Sequence, residues 1–264
     1  MTRLDWADYR APEFHGLDPM KVIAILPTAA VEQHGPHLPV GTDTLIAEGM
    51  LAELRRQLRA LPDAPQVRIL PVQAVGKSNE HLWAPGTLTL SAEAALHAWL
   101  EIGLSVARAG LRKIVIVNSH GGNLDLVSIL SRELRVRAGM LAVKCQWTGF
   151  GHPADLYPPH ELAFGIHGGD VETSLMLQFR PETVDMAAAR DFRSTAEGAA
   201  IPPTGPLSYG WIASDLNPAG VVGNAAAATA EKGRATAEHQ VAGLIGLLRD
   251  VAAHPLTGFA PVLG

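Results

Sequence analysis

A chain of 264 residues, 47% of them apolar, can bury a sizeable core and is too hydrophobic to be intrinsically disordered. Its formal charge of −5, with acids and bases dispersed, excludes the basic surface that nucleic-acid phosphates require, and no run approaches the roughly 20 apolar residues of a membrane span. The single cysteine, Cys145, excludes an internal disulfide framework; with nothing resembling a signal peptide in "MTRLDWADYRAPEF", the expected location is the cytoplasm.

In chain order, residues 21–27 ("KVIAILP") read as a buried strand. Residues 30–43 ("AVEQHGPHLPVGTD") then crowd Glu32, His34, His37 and Asp43 among Gly35, Pro36, Pro39 and Gly41. A helix is predicted over 44–61, with Leu45, Met50, Leu51, Leu54 and Leu58 along one face, and a strand over 67–75. "GKSNEHLWAPGTLTL" (76–90) reads as a loop whose Ser78, Glu80 and His81 wall a pocket. Helix 91–110 ends at Gly110, and 112–119 ("RKIVIVNS") is the clearest buried strand. Helix 123–139 has Asn123 as its expected N-cap and Gly139 as terminator. Strand 140–147 carries Cys145 as a buried residue, not a nucleophile. After "GIHGGDVETS" (165–174) a short helix is expected from about Asp170 to before Pro181, and an Ala-rich helix over 226–252. The Pro- and Gly-rich stretch 199–224 is long for a loop and is expected to cover the site or pack at a subunit interface.

Strands alternating with helices imply right-handed crossovers and a mainly parallel sheet covered on both faces. Such sheets bind ligands beyond the carboxyl ends of their strands, so "EQHGPHLPVGTD" and "HGGN" (120–123) should open onto one rim. Glu32 and His34, two apart in an extended segment, point the same way. Taken singly, Asp43 reads equally as a helix N-cap, Glu172 as a charge on a helix dipole, and His34 or His120 as a satisfied loop histidine. His37 reads as structural support, and His167 as an acid or a neighbouring hydrogen-bond donor. Together, Glu32, His34, Asp43, His120 and Glu172 offer oxygen and imidazole ligands suited to Zn, Mn or Fe, and the absence of Cys ligands argues against a purely structural zinc. Five ligands exceed one four-coordinate ion, whereas a carboxylate bridging two ions would use them all.

The blocks "EQHGPHLPVGTD", "EHLWAPGTLTL", "NSHGGN" and "HGGDVETS" resemble, in order, the signature blocks of the creatininase family of amidohydrolases, and "GVVGNAAAATAEKG" (220–233) is similar to its C-terminal block. The resemblance implies a single α/β domain over 1–264, a three-layer α/β/α fold with a mainly parallel sheet, two divalent metal ions per chain, and a homo-oligomer, often a hexamer. It implies that Glu32 and His34 each hold one ion, Asp43 bridges, His120 completes one set and Glu172 the other. It further implies that His167 handles protons and that Ser78 and Trp147 contact substrate beside the pocket-wall His81. Enzymes of the family that act on creatinine carry a ligating glutamate where this chain has Gly122, so Glu172 or a water must fill in; they also carry acids before the histidine matching His167, where this chain has "LAFGI". The expected reaction is therefore hydrolysis of a non-peptide C–N bond, cyclic or linear, in a substrate other than creatinine. A metal-bridging hydroxide would attack and His167 would protonate the leaving nitrogen. The alternatives are a lactonase, a peptidase trimming a small peptide, and a formylamino-pyrimidine deformylase. Trp83 and Trp147 could stack on a flat ring.

Overall fold

The strands β1 (Ile23–Thr28), β2 (Val67–Ile69), β3 (Lys113–Asn118) and β4 (Leu141–Gln146) form one parallel sheet in the order β2-β1-β3-β4. The computed structural model describes residues 3–262. Ile23 lies opposite Val67 on one side and Lys113 on the other, and Lys113 lies opposite Leu141. Every residue of β1 and β3 is buried, which is why both read as unbroken apolar runs rather than as an alternating pattern. β4 sits at the edge and is only half-buried. Cys145 on it is accordingly half-buried rather than fully so, with its thiol directed at the Ile116 carbonyl 3.6 Å away.

β2 is shorter than the 67–75 expected. Pro71 offers no N–H to the ladder, and pairing resumes only as a single bridge between Thr28 and Gln73.

Consecutive side chains of β1 feed two cores, as a strand's period of two requires. Ile23 and Ile25 pack with α1 (Thr42–Ala60) through Met50 and Leu54, and with two further helices described below, through Met176 and Leu244. Ala24 and Leu26 pack on the other face with α2 (Ala92–Arg108) and α3 (Leu124–Ala138), through Trp99, Leu130 and Leu134. The result is the three-layer α/β/α arrangement. The remaining helices are α4 (Pro159–Phe164), α5 (Asp170–Phe179), α6 (Ala213–Leu216) and α7 (Ala230–Ala253); α5 and α7 share the face of α1. A two-stranded antiparallel ribbon joins β5 (Asp191–Phe192) to β6 (Gly223–Asn224).

Caps fix several boundaries. Ser91 accepts from the Ala94 N–H at 3.2 Å and starts α2, and Gly139, at φ 62°, closes α3. α7 begins at Ala230 rather than 226 because Thr229 takes the cap, accepting from the Lys232 N–H. Asn123 does not cap α3. Its amide nitrogen donates to the Ala29 carbonyl (3.1 Å) and to Asn118 Oδ1 (3.2 Å), and its oxygen accepts from the Lys77 N–H (3.0 Å). The residue thereby ties together the loops beyond β1, β2 and β3. Among the described residues, no helix is long and apolar enough to cross a membrane.

Candidate active site and metal centre

The chain turns back on itself just past β1. Glu32 N–H donates to the Val40 carbonyl at 2.8 Å, closing residues 32–40 into a loop against the rim of the sheet. Gly35 is at φ 71°, and a Cβ there would run into Val221, so only glycine permits this turn against its neighbour. Asp43 lies in the first turn of α1, but the helix has no side-chain cap. Its carboxylate points into the rim instead. His120 follows β3 by two residues. The segment His167–Gly169 leads into α5, whose first turn carries Glu172.

These five side chains converge. His34 Nε2 is 3.5 Å from Asp43 Oδ1 and 3.9 Å from Glu172 Oε2. Asp43 Oδ2 is 3.1 Å from His120 Nδ1, and Glu32 Oε2 is 3.3 Å from His120 Nε2. The other Glu32 oxygen is 3.3 Å from His81 Nε2 and 3.6 Å from His167 Nδ1. Glu32 and His34 keep 1% exposure and Asp43 2%. Despite these short distances, both Glu32 oxygens, His34 Nε2 and Asp43 Oδ2 make no hydrogen bond. Uncompensated buried carboxylates cost several kcal/mol, and the remedy proteins use is a paired charge or a metal. The orphaned atoms share one small volume: Glu32–His34–Asp43, Glu32–Glu80–His120, His34–His167–Glu172 and Glu32–His81–His167 each bring three ligand atoms within 4.8 Å of one another. A divalent cation fits this donor set.

The histidine tautomers agree with that fit. A carbonyl can only accept, so His34 Nδ1, 3.0 Å from the Glu32 carbonyl, carries a proton, and Nε2 is the nitrogen turned toward the carboxylates, the one a cation would take in place of its proton. His167 Nε2 likewise donates to the Gln33 carbonyl at 2.9 Å, which leaves Nδ1 as the acceptor facing Glu32.

Charge balance follows from these neighbours. Burial opposes the Glu32 carboxylate, but the His120 and His34 imidazoliums outweigh it and hold the group below the ordinary range. Burial also opposes the His34 imidazolium, yet Asp43, Glu172 and Glu32 raise it to about 9. His120 is raised well above its usual value against the same penalty, chiefly by Glu32 and Asp43. The surrounding protein pushes Glu172 up to about 7, opposed by His34 and reinforced by Asp43. Burial, followed by His34, drops His167 to about 3, so its ring is neutral. A bound cation would take over the role of the imidazolium protons and favour the free bases.

A cleft of about 820 Å³ opens onto the cluster, lined by Glu32, Asp43, His120, His167 and Glu172. Its outer wall is segment 203–215, including Tyr209 and Trp211, so the stretch expected to cover the site does so. Ser78 is buried beneath His120, with Oγ 3.3 Å from its Nε2. His81 is buried behind Glu32 and lines the cleft. Trp147 does not reach the cleft. It packs in the core under β4 and donates its indole N–H to Ser119 Oγ at 3.0 Å. Exposed Trp83 packs over Gly220. His37 donates from Nε2 to the Gly168 carbonyl at 3.0 Å, a support for the loop that carries His167.

Gln33 is the residue that sequence reasoning missed. Buried, it sends Nε2 to the Gly220 carbonyl (2.5 Å) and His81 Nδ1 (3.0 Å), while Oε1 accepts from the Gly35 N–H (2.8 Å). Strand alternation turns it away from Glu32 and His34, and a neutral amide carries no chemical signature of its own.

A profile of the creatininase family (creatinine amidohydrolase) matches residues 7–248. The chain is 34% identical over 214 residues to the mycofactocin precursor peptide peptidase of Mycobacterium ulcerans, covering 80% of this chain and 78% of that one. It is 29% identical to the creatinine amidohydrolase of Pseudomonas putida, over 94% of this chain and 95% of that one. A manganese creatininase superposes with a TM-score of 0.74 at 21% identity, over 96% of this chain and 100% of that one, with the same parallel sheet between helical layers. Matched along nearly its whole length in both sequence and fold, this protein belongs to the creatininase family of amidohydrolases, hydrolases of carbon–nitrogen bonds.

Proposed function

We propose that the protein hydrolyses a non-peptide amide C–N bond, cyclic or linear, with two divalent ions of Zn, Mn or Fe held by Glu32, His34, Asp43, His120 and Glu172. The observation that carries this is the set of buried, unpartnered donor atoms on Glu32, His34 and Asp43, gathered at the floor of an open cleft. Such ions would polarise the amide carbonyl and lower the pKa of water. The protein's own groups do the rest. Asp43, with one oxygen toward His34 and the other toward His120, spans both halves of the cluster. His167, kept neutral and fixed as the Nε2–H tautomer, takes the proton of the attacking water on Nδ1 and passes it to the leaving nitrogen as the C–N bond breaks. Creatinine is not the substrate in this reading: the residue before His167 that faces the cleft is Ile166, which offers no acid. A homo-oligomer, hexameric, in the cytoplasm belongs to the same reading.

A second reading, a peptide-trimming enzyme, is favoured by the cleft itself, which at about 820 Å³ is roomy for a small ring, and by the peptidase relative. The test is a panel of lactams, formamides, lactones and short peptides against protein loaded with Mn or Zn. Glu32→Ala and Asp43→Ala should lose bound metal and activity together. Full activity with metal retained in either variant would remove the proposed site.

A further inference from the structure

The donor set above gives each ion two carboxylates and one imidazole, and the structure offers one more carboxylate from another loop. Glu80 sits in a one-turn 3-10 helix, Asn79–His81, its side chain 11% exposed. Oε2 is tied to Lys77 Nζ at 3.1 Å, and Oε1 is turned inward, 3.5 Å from His120 Nε2. Around that nitrogen stand the Lys77 carbonyl (3.0 Å), Glu32 Oε2 (3.3 Å), Ser78 Oγ (3.3 Å) and Glu80 Oε1 (3.5 Å). A carbonyl can only accept, so Nε2 carries a proton toward Lys77 and the imidazole would meet a cation through Nδ1, on the Asp43 side. One N–H cannot also serve Glu32 Oε2 and Glu80 Oε1, and these carboxylate oxygens, the first of them unpartnered, are the hard donors a divalent cation takes.

The room for Glu80 comes from Gly122. A Cβ at that position would overlap Glu80 Oε1 and come within 2.5 Å of both His120 Nε2 and the Lys77 carbonyl. Position 122 thus bears no side chain because a carboxylate from the 79–81 turn already fills the space.

We propose that Glu80 is a ligand of the divalent ion held by Glu32 and His120, admitted to the site by Gly122. The proposal rests on the two-metal reading of the site. It replaces the expectation that Glu172 or a water fills the place opposite Gly122, since Glu172 lies on the His34 side of the cluster, its Oε2 3.9 Å from His34 Nε2.

The experiment is metal binding, with no substrate needed. Wild type, Glu80→Gln, Glu80→Ala and Lys77→Met are stripped, titrated with Mn²⁺ alone, and examined by elemental analysis, calorimetry and electron paramagnetic resonance. Wild type should take up two ions per chain with the signal of an exchange-coupled pair. Both Glu80 variants, folded by circular dichroism, should weaken one ion by about 100-fold or more and give the signal of an isolated ion. Lys77→Met should keep both ions, because Glu80 remains. Wild type with two ions and Glu80 variants that hold both at wild-type affinity would overturn the proposal while leaving the two-metal site standing. Loss of the same ion in Lys77→Met would also overturn it, since the loop rather than the carboxylate would then be responsible. A wild type that binds no Mn²⁺ would remove the site and the proposal together.

Discussion

Gln33 shows how much one neutral side chain can organise. It joins the Gly35 turn, the Gly220 carbonyl and His81, and its own carbonyl fixes the tautomer of His167. Gln33→Leu would leave buried partners unsatisfied, at about 1 to 3 kcal/mol, and should lower the melting temperature by several degrees in a scan with metal present. An unchanged melting temperature would show that water replaces the amide at no cost. Cys145 gives a second test at this scale. Burial raises its thiol pKa to about 12, so the group is protonated at pH 8, and only the thiolate attacks electrophiles. A disulfide reagent at pH 8 should modify the folded protein far more slowly than the urea-unfolded chain. Equal rates would refute the inward placement of the sulfur.

At the scale of elements, the site depends on how α4, α5 and β6 are locked together. Glu161 of α4 is buried, and its two oxygens accept from the Asp170 N–H at the start of α5 (2.7 Å) and from the Asn224 N–H of β6 (2.8 Å). The carboxylate thus does for α5 what an N-cap would do, from another element. It holds the ends of the loop that carries His167. Glu161→Ala should destabilise the fold by roughly 2 to 4 kcal/mol, as two donors lose a charged acceptor, and Glu161→Gln by less, read from urea midpoints. A smaller loss in the alanine variant than in the glutamine variant would contradict this account. Gly223, at φ 131° beside that carboxylate, has no room for a Cβ, so Gly223→Ala should be as harmful as Glu161→Ala.

For the molecule as a whole, the site is a stability problem that a bound cation would relieve. Buried donor atoms on Glu32, His34 and Asp43 lack partners, so a cation that binds only the folded state should raise its stability by mass action. At 100 times its dissociation constant the gain is about 2.7 kcal/mol, or about 5 to 10 °C in melting temperature for a protein of this size. Chelator should lower the melting temperature by that order and Mn²⁺ or Zn²⁺ restore it, while Asp43→Ala should show no response. A wild-type protein indifferent to chelator and to added metal would mean that the cluster is held by hydrogen bonds after all.

Much of this was legible in the residues themselves. The unbroken apolar runs of β1 and β3 and the one-sided pattern of α1 gave their positions, because the period of burial is a local property of the chain. Glu32, His34, Asp43, His120, His167 and Glu172 stood out for a related reason: clusters of acids and histidines next to glycine are costly to keep unless they do chemistry. What only the tertiary structure decided was everything set by contacts between distant segments. Asn123 stitches loops instead of capping α3, Trp147 turns into the core, and Glu161 caps a helix nine residues away. Glu80 enters the rim because a glycine 42 positions later has no side chain to block it. Local sequence fixes which way a side chain leaves its own backbone. Which partner it meets depends on segments folding next to it, and no local pattern encodes that distance.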